Sequence, residues 1–274
     1  MILTYQSSNG QTFDLKSSGL KTRYANYHDY SWYPQQREQQ YGSRVFRFDK
    51  ETMTYETSIS VGGSIDQRKD TLNRLHEAFD KDIFTMTPGK IIHGEFYIEC
   101  YITFSSTGYS NPYTENLINI FCPYPFWIKE HKFECLKHED VAGANQFLDF
   151  DYDFEYDYMS GSTGQVEVEN YGAGPANYKI IMYGPAVSPY IMIDGNEIGV
   201  SAVLLSGEYI IIDSRDHTVI KTSNTGQKTN LYNSRTKGRS IFEKIPSGQH
   251  AVIWPGTFGF DLYIYEERSE PKWS

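Results

Sequence analysis

The sequence is poor in the two residues that most often build helices. It contains only 12 Leu and 9 Ala among 274 residues, whereas 23 Tyr, 16 Phe and 4 Trp bring the aromatic fraction to 16%. Helices draw on Leu and Ala, while half-buried pleated surfaces favour aromatic and β-branched side chains. The composition therefore argues against an all-helical enzyme and predicts a mainly β protein. The length predicts two domains rather than one.

Basic charge, long apolar runs and paired cysteines are also scarce. The 25 Lys plus Arg face 35 Asp plus Glu, a net charge of −10 that disfavours a phosphate-binding face, so we expect no nucleic-acid partner. No stretch approaches the roughly 20 apolar residues that span a bilayer, and residues 1–15 lack the pattern of a signal peptide. We expect a soluble chain made in a cytoplasm, with no membrane partner. The three cysteines form no CxxC pair, which argues against a disulfide framework.

Motifs that carry chemistry are missing as well. The sequence has no nucleophile elbow, zinc-protease motif or P-loop. His131, Cys135 and His138 have a spacing that matches no common zinc pattern. The acids of residues 149–157 alternate with rings as on a strand, and they lack the glycine that folds a calcium loop inward. We therefore expect no catalytic residue, no metal and no cofactor.

Two other functions remain open from the residues alone. A glycosidase needs only two carboxylates that meet across a groove, and no sequence spacing reveals such a pair. A sugar-binding face needs an exposed ring beside polar groups, and Trp254, Tyr263 and Trp273 are candidates that could equally be core. The alternatives to a structural role are therefore a carbohydrate-binding β-sandwich module and a glycan hydrolase.

One helix and many short strands are predicted. Ser64 and Gln67 have capping-box spacing before an amphipathic stretch, which predicts a helix that ends near Asp82. A hairpin is expected around Asn9-Gly10, one long or two short strands in residues 91–104, and a strand in 117–122. Residues 128–145 are polar and predict a domain boundary. Beyond them, strands are expected at residues 165–169, 178–183, 190–193, 208–213, 218–221, 249–254 and 258–265.

Residues 22–43 have no regular period and predict a long loop or arm. Exposed aromatic rings are more useful at a protein contact than in water. Five rings are therefore candidates for a subunit interface: Tyr24, Tyr27, Trp32, Tyr33 and Tyr41. An ordinary surface loop whose rings fold back onto a sheet explains the same pattern equally well.

Several strings, taken in order, resemble the phage distal tail protein family, often called Dit, of long non-contractile tails that infect Gram-positive hosts. In the first half these are RKDTLNRL (68–75), PGKII (88–92), FYIECYI (96–102) and FCPYPFW (121–127). In the second half they are FLDFDYDF (147–154), YGPA (183–186), IIDS (211–214), IFEKIPSG (241–248) and YEERSEPKW (265–273). Within 147–154, acids replace prolines of the family pattern.

The resemblance implies a fold of two β-sandwich domains. Residues 1–135 would form an N-terminal ring-forming β-sandwich with one α-helix, and residues 136–274 a C-terminal galectin-like β-sandwich. The implied assembly is a homohexameric ring, either single or paired back to back with a second ring. It also gives the arm at residues 22–43 a use as a contact between subunits.

The resemblance also implies a role without catalysis. The ring would be the structural hub of a tail tip or baseplate in the virion, made in the cytoplasm of a bacterial host. Its implied partners are the tail tube protein, the tail-associated hub protein and the receptor-binding or other baseplate proteins.

Overall fold

The computed structural model describes residues 3–109, 113–137 and 164–273. It is mainly β, as the composition predicts, with the α-helix α1 at Ile65–Phe84. The chain divides into two compact units: unit 1 holds the residues up to Lys129 and those from Glu267 onward, and unit 2 runs from Glu130 to Glu266. The domain boundary expected at residue 135 remains a prediction. No helix of the described ranges is both long and apolar enough to cross a bilayer.

Unit 1 is built from antiparallel strands, of which seven form two sheets that share one long strand and two form a separate hairpin. The strands are β1 (Leu3–Gln6), β2 (Thr12–Asp14), β3 (Leu20–Ala25), β4 (Tyr33–Glu38), β5 (Ser43–Asp49), β6 (Met53–Val61), β7 (Gly89–His93), β8 (Phe96–Tyr109) and β9 (Thr114–Cys122). The first part of β8 pairs with β7, which leads on to β1 and β2, and its second part pairs with β9, which leads on to β6 and β3. Their buried side chains form one core with Trp127.

The helix α1 begins where the sequence predicts. The Ser64 hydroxyl accepts from the Gln67 backbone N–H at 3.2 Å, and the Gln67 side chain accepts from the Ser64 N–H at 2.9 Å. This reciprocal capping box satisfies two donors that the first turn of a helix leaves unpaired. Leu72, Leu75 and Phe79 are buried on one face of the helix and join the core of unit 1. The helix runs to Phe84, slightly beyond the predicted end.

Unit 2 is also an antiparallel β structure around its own core. Strand β10 (Trp127–Cys135) leads into it, and β21 (Phe260–Arg268) leads out. Between them lie β11 (Gly164–Asn170), β12 (Tyr178–Tyr183), β13 (Ala186–Val187), β14 (Tyr190–Ile193), β15 (Asn196–Gly199), β16 (Val203–Leu204), β17 (Tyr209–Asp213), β18 (Thr218–Thr222), β19 (Lys228–Asn230) and β20 (Gly248–Trp254). The strands β19-β18-β17-β12-β21 are neighbours in one sheet and β11-β20-β14-β15 in another, and β13 pairs with β16.

Two expectations about local structure are wrong. Residues 22–43 are not an irregular loop, because they contain the end of β3, all of β4 and the start of β5. Residues 127–135 are strand β10, where a polar linker is expected from residue 128. Polar side chains of that strand have partners within unit 2: His131 Nε2 lies 2.9 Å from Glu266 Oε2. The predicted strands of the second half are present, each within two residues at its start, and the short strands β13, β15, β16 and β19 were not anticipated.

Candidate assembly surface on the β4–β5 hairpin

Strands β4 and β5 form a two-stranded sheet of their own within unit 1. Pairing runs from Tyr33 opposite Asp49 to Glu38 opposite Ser43, and a bulge at Phe46 interrupts it. The Gln39 N–H donates to the Gly42 carbonyl at 2.9 Å and closes the turn. Almost every side chain of the hairpin is exposed. A two-stranded hairpin with neither face covered is marginal in water, so this element depends on contacts at its base or on a partner.

Apolar side chains are concentrated on and beside this hairpin. Phe46 is 68% exposed, Phe48 57%, Val45 42% and Trp32 41%. Trp32 and Phe48 line an open groove of about 360 Å³. Clusters of exposed apolar side chains on a soluble protein mark interaction sites more often than single exposed residues do. We call residues 33–49 together with Trp32 the aromatic hairpin.

Lys50 holds the base of the aromatic hairpin in a cage of rings. Its Nζ lies 4.3 Å from the centre of the Phe126 ring, 5.3 Å from that of Trp32 and 5.9 Å from that of Tyr30. Burial lowers the pKa of Lys50 to about 8, because the charged form loses water. The ring faces supply the attraction that partly replaces this water. The cage therefore fixes the chain at the point where β5 ends.

Residues 267–273 add further contacts at the same base. Trp32 Nε1 donates to Ser269 Oγ at 3.1 Å. The rings of His28 and Trp273 stack with centroids 3.7 Å apart, and His28 Nδ1 lies 3.4 Å from a Glu270 carboxylate oxygen. These groups all belong to unit 1. The rings before β4 are thus positioned by the unit itself, while the hairpin beyond them projects its side chains to the solvent.

Four of the five predicted interface rings are exposed and one is not. Tyr41 is 86% exposed, Tyr24 55%, Tyr33 44% and Trp32 41%, but Tyr27 is only 3% exposed. The Tyr27 hydroxyl accepts from Thr57 Oγ1 at 2.9 Å, and its ring packs edge-on against Tyr55 and Trp127. Tyr27 is therefore a core residue of unit 1, and we leave it out of the proposed contact.

The residues that sequence reasoning missed are Phe46 and Phe48. Their alternation with Val45 and Arg47 predicts a strand, and a strand with large apolar side chains is normally placed in a sheet that buries one face. A strand that is exposed on both faces has no recognisable pattern in a single sequence. The only available signal was the short distance to the aromatic stretch at residues 24–41.

Unit 2 contains a cavity of about 110 Å³ between β14, β15 and the loop at residues 239–246. Its two lining carboxylates are both engaged. Asp194 contacts His250 Nδ1, and Glu243 lies 3.1 Å from an Arg239 nitrogen.

The other sequence candidates have structural roles where they are described. Cys135 is buried, and burial raises the pKa of its thiol to about 11, which makes it unreactive. Trp254 is buried, and the Tyr263 ring lies 4.4 Å from Lys179 Nζ. His138 and the acidic stretch at 149–158 lie outside the described residues. In the described ranges, no group of three or more His, Cys, Asp or Glu side chains could hold a metal ion.

No family model and no curated protein matches the chain. Solved structures do. The Dit protein of phage SPP1, described as a paradigm of the hub adsorption apparatus in phages that infect Gram-positive bacteria, matches with a TM-score of 0.61 over 98% of this chain and 100% of its own. The chain has the Dit fold.

Two structures of the phage P2 baseplate in its activated conformation share this Dit fold. The one with Ca matches at a TM-score of 0.62 over 99% of this chain and 100% of that chain, and the one with Sr at 0.62 over 98% and 99%. Sequence identity is 13% to SPP1 Dit and to the first P2 baseplate chain, and 14% to the second. The resemblance found in the sequence is thus confirmed at the level of the fold.

Proposed function

We propose that this protein is a structural component of the tail tip or baseplate of a virion, encoded by a phage or a prophage. The observation that carries the proposal is the full-length likeness to SPP1 Dit and to the P2 baseplate chains. Because both units and nearly every residue take part, the likeness covers the complete architecture and not one common β-sandwich.

In this proposal the chain assembles into a hexameric ring through its first domain, residues 1–135, while residues 136–274 form a galectin-like domain around the ring. A closed ring needs two different surfaces on each copy, one for each neighbour. The aromatic hairpin supports the proposal, because it offers a projecting surface rich in the residue types that are enriched at interfaces. The contact rings are Tyr24, Trp32, Tyr33 and Tyr41, to which the structure adds Phe46 and Phe48.

The proposed partners follow from the same architecture. The ring would connect the tail tube protein on one side with the tail-associated hub protein on the other, and carry the receptor-binding or other baseplate proteins. The net charge of −10 suits protein partners rather than nucleic acid.

Immunogold electron microscopy of the particles produced with this gene tests the proposal. Antibodies against the purified chain should label particles at the tip of the tail, opposite the head. Label on free protein only, with tails that stay unlabelled after mild disruption of their tips, would contradict a tail role. Pre-immune serum on the same particles is the control.

A further inference from the structure

An acid-free stretch of the chain lies at one edge of unit 2. Residues 217–242 contain five Lys or Arg and no Asp or Glu, in a chain whose net charge is −10. The stretch comprises β18, β19 and the segment that follows them. Strand β19 pairs with β18 and with no other strand of the described ranges, so it forms the edge of its sheet. We call residues 228–240 the basic edge.

Several cations of the basic edge have no carboxylate partner among the residues that the structure describes. They are Lys228, Arg235 and Lys237. Two other cations of the stretch are neutralised by ion pairs. Lys221 Nζ lies 2.7 Å from Glu208 Oε2. An Arg239 nitrogen lies 3.1 Å from Glu243 Oε2. The three remaining charges are therefore available to an anion from outside the chain.

The segment that carries Arg235 and Lys237 is fixed to the body of unit 2. The Thr236 N–H donates to the Gly199 carbonyl at 2.9 Å, and the Thr236 hydroxyl donates to Glu197 Oε1 at 3.1 Å. Glu197 is exposed and adds one negative charge here, which the three cations outnumber. The backbone that presents these cations is thus held in place before any ligand arrives.

Arg235 is oriented by a column of stacked rings. Its guanidinium carbon lies 3.9 Å from the centre of the Tyr232 ring, and its Nη1 donates to the Tyr232 carbonyl at 2.7 Å. The Tyr232 ring stacks on Phe242 with centroids 5.9 Å apart, and Phe242 stacks on His217 at 4.9 Å. A guanidinium that is already oriented loses little freedom when its remaining donors bind a phosphate or a carboxylate in pairs.

Composition favours phosphate over a protein surface as the partner. Residues 223–240 contain 12 Ser, Thr, Asn, Gln or Gly, and Leu231 and Tyr232 are their only large apolar or aromatic residues. The cores of protein interfaces are rich in aromatic residues and poor in Lys and Ser. Side chains that contact phosphate oxygens are instead those of Arg, Lys, Ser, Thr, Asn, Gln and Tyr.

The same column disfavours nucleic acid. A base binds single-stranded sites by stacking on an open aromatic face. The Tyr232 ring is already engaged by Arg235 and Phe242. Three cations on a strand and the segment after it also offer separate contacts rather than one pocket. The basic edge therefore fits a flexible polymer that carries phosphate groups and no bases.

The negative charge of the whole chain does not prevent such local binding. At physiological ionic strength, exposed charges are screened beyond about 8 Å, so an anion at the basic edge is influenced mainly by the cations it touches. Lysines on edge strands also discourage pairing with another chain. That explains Lys228 but not Arg235 and Lys237, which follow β19.

We propose that the basic edge of unit 2 binds a flexible anionic polymer through its phosphate groups, with Lys228, Arg235 and Lys237 as the contacting cations. This binding is a second activity beside the proposed structural role. It requires neither the ring nor a place in the tail.

Titration of fluorescently labelled inorganic polyphosphate with the full chain, followed by anisotropy, tests the site. Lys228→Gln with Arg235→Gln and Lys237→Gln should weaken binding at least about tenfold, because three phosphate contacts are lost. Lys228→Gln with Lys237→Gln leaves the ring column intact and should give a smaller loss in the same direction. The logarithm of the wild-type binding constant should fall with that of the salt concentration with a slope of about −2, and the three-site variant should bring the slope close to zero.

The matched control removes three exposed charges from unit 1. Lys16→Gln with Lys21→Gln and Lys69→Gln changes the net charge as the three-site variant does, and it should leave polyphosphate binding within about twofold of the wild type. A control that weakens binding as much as the three-site variant would mean that net charge, and not the basic edge, governs the affinity, and would overturn the proposal.

Unlabelled competitors identify the anion. Polyphosphate should displace the labelled probe, whereas polyglutamate and duplex DNA at equal charge concentration should do so at least about tenfold less well. Equal displacement by polyglutamate would assign the basic edge to an acidic protein surface, and equal displacement by DNA would assign it to nucleic acid. Either result, or a wild type that does not bind polyphosphate at low salt, would overturn the proposal. Gold label at the tail tip does not depend on these results, so the proposed function is tested separately.

Discussion

Tyr24 and Tyr27 lie three residues apart and meet opposite environments. The Tyr24 side chain is 55% exposed on β3, whereas Tyr27 is 3% exposed and packs with Tyr55 and Trp127. Removing a buried aromatic ring takes away the free energy of its transfer from water and leaves a cavity. Substitutions at these two tyrosines can therefore distinguish an effect on stability from an effect on a surface contact.

Replacing each tyrosine by serine gives a matched pair. Tyr27→Ser should lower the free energy of unfolding by about 3 kcal/mol or more, and Tyr24→Ser by less than about 0.5 kcal/mol. Urea denaturation of the two variants, monitored by tryptophan fluorescence, measures the difference. Equal losses in both would show that Tyr27 is not part of a well-packed core.

Lys50 predicts a dependence of stability on pH. Its pKa is about 8 in the folded protein and near 10.5 when unfolded, so between these values the unfolded chain binds more protons. The contribution of Lys50 to the free energy of unfolding should therefore rise as the pH increases from 7.5 to 10. Partial exposure to solvent limits the change to about 1 kcal/mol.

The Lys50→Met variant isolates this effect. Its ring cage contains one further titratable group, the Tyr30 hydroxyl, which the variant retains. The difference in unfolding free energy between wild type and Lys50→Met should shift in favour of the wild type across this pH range. A difference that stays constant with pH would mean that Lys50 titrates normally and that its cage is open to water.

At the scale of single residues, the sequence identifies residue types that suit an interface, but it does not predict which of their side chains are exposed. Four of the five rings picked at residues 24–41 are exposed, and their place at a subunit contact remains a prediction. Tyr27 could not be distinguished from them, because its burial depends on Tyr55 and Trp127, which are distant in sequence. Phe46 and Phe48 were missed for the opposite reason, since alternation predicts burial that the fold does not provide.

At the scale of elements, the helix was the most predictable and the hairpin the least. The position of α1 is encoded locally, in the Ser64 and Gln67 capping box and in one apolar face. Strand β4 has the sequence YPQQRE, and with both faces exposed it has no alternation to detect. Strand β10 looks like a polar linker because its charged side chains find partners on other strands, such as His131 with Glu266.

The junction between α1 and the first sheet depends on close approach around one buried carboxylate. Asp82 accepts from the Ser7 hydroxyl at 2.6 Å and the Ser8 N–H at 2.9 Å, and also from the Tyr5 hydroxyl. A Cβ added at Gly89 would lie 2.4 Å from Asp82 Oδ2 and 2.9 Å from the Gln6 carbonyl oxygen. Gly89 therefore leaves the space that this hydrogen-bond network occupies.

Gly89→Ala should lower the free energy of unfolding by about 2 kcal/mol or more, because the backbone or Asp82 must shift. Gly108→Ala is the matched control, since a Cβ there meets nothing within 4 Å. Thermal denaturation of the two variants measures the difference. If both substitutions prove neutral, the junction is looser than its hydrogen bonds indicate.

At the scale of the whole molecule, the order of weak motifs carried more information than any one of them. No family model matches, and identity to the solved neighbours is 13 to 14%, yet the order of strings along the chain indicated the Dit fold. Among the strings that the structure describes, one lies in the first half of α1, one at the turn before β7 and one at the end of β9. The surfaces through which copies assemble are less predictable from the sequence, because they only need to be complementary to each other and follow no general pattern.

Native mass spectrometry of the purified chain, with negative-stain class averages of the same sample, tests the central claim most directly. The account predicts a species of six times 31.6 kDa, or about 190 kDa, with six-fold averages, or twice that mass for paired rings. The variant Phe46→Ser with Phe48→Ser, on two rings that are more than half exposed, should give the folded monomer with unchanged circular dichroism. A wild-type chain that remains at 31.6 kDa at the highest attainable concentration, without rings on the grid, would contradict the account.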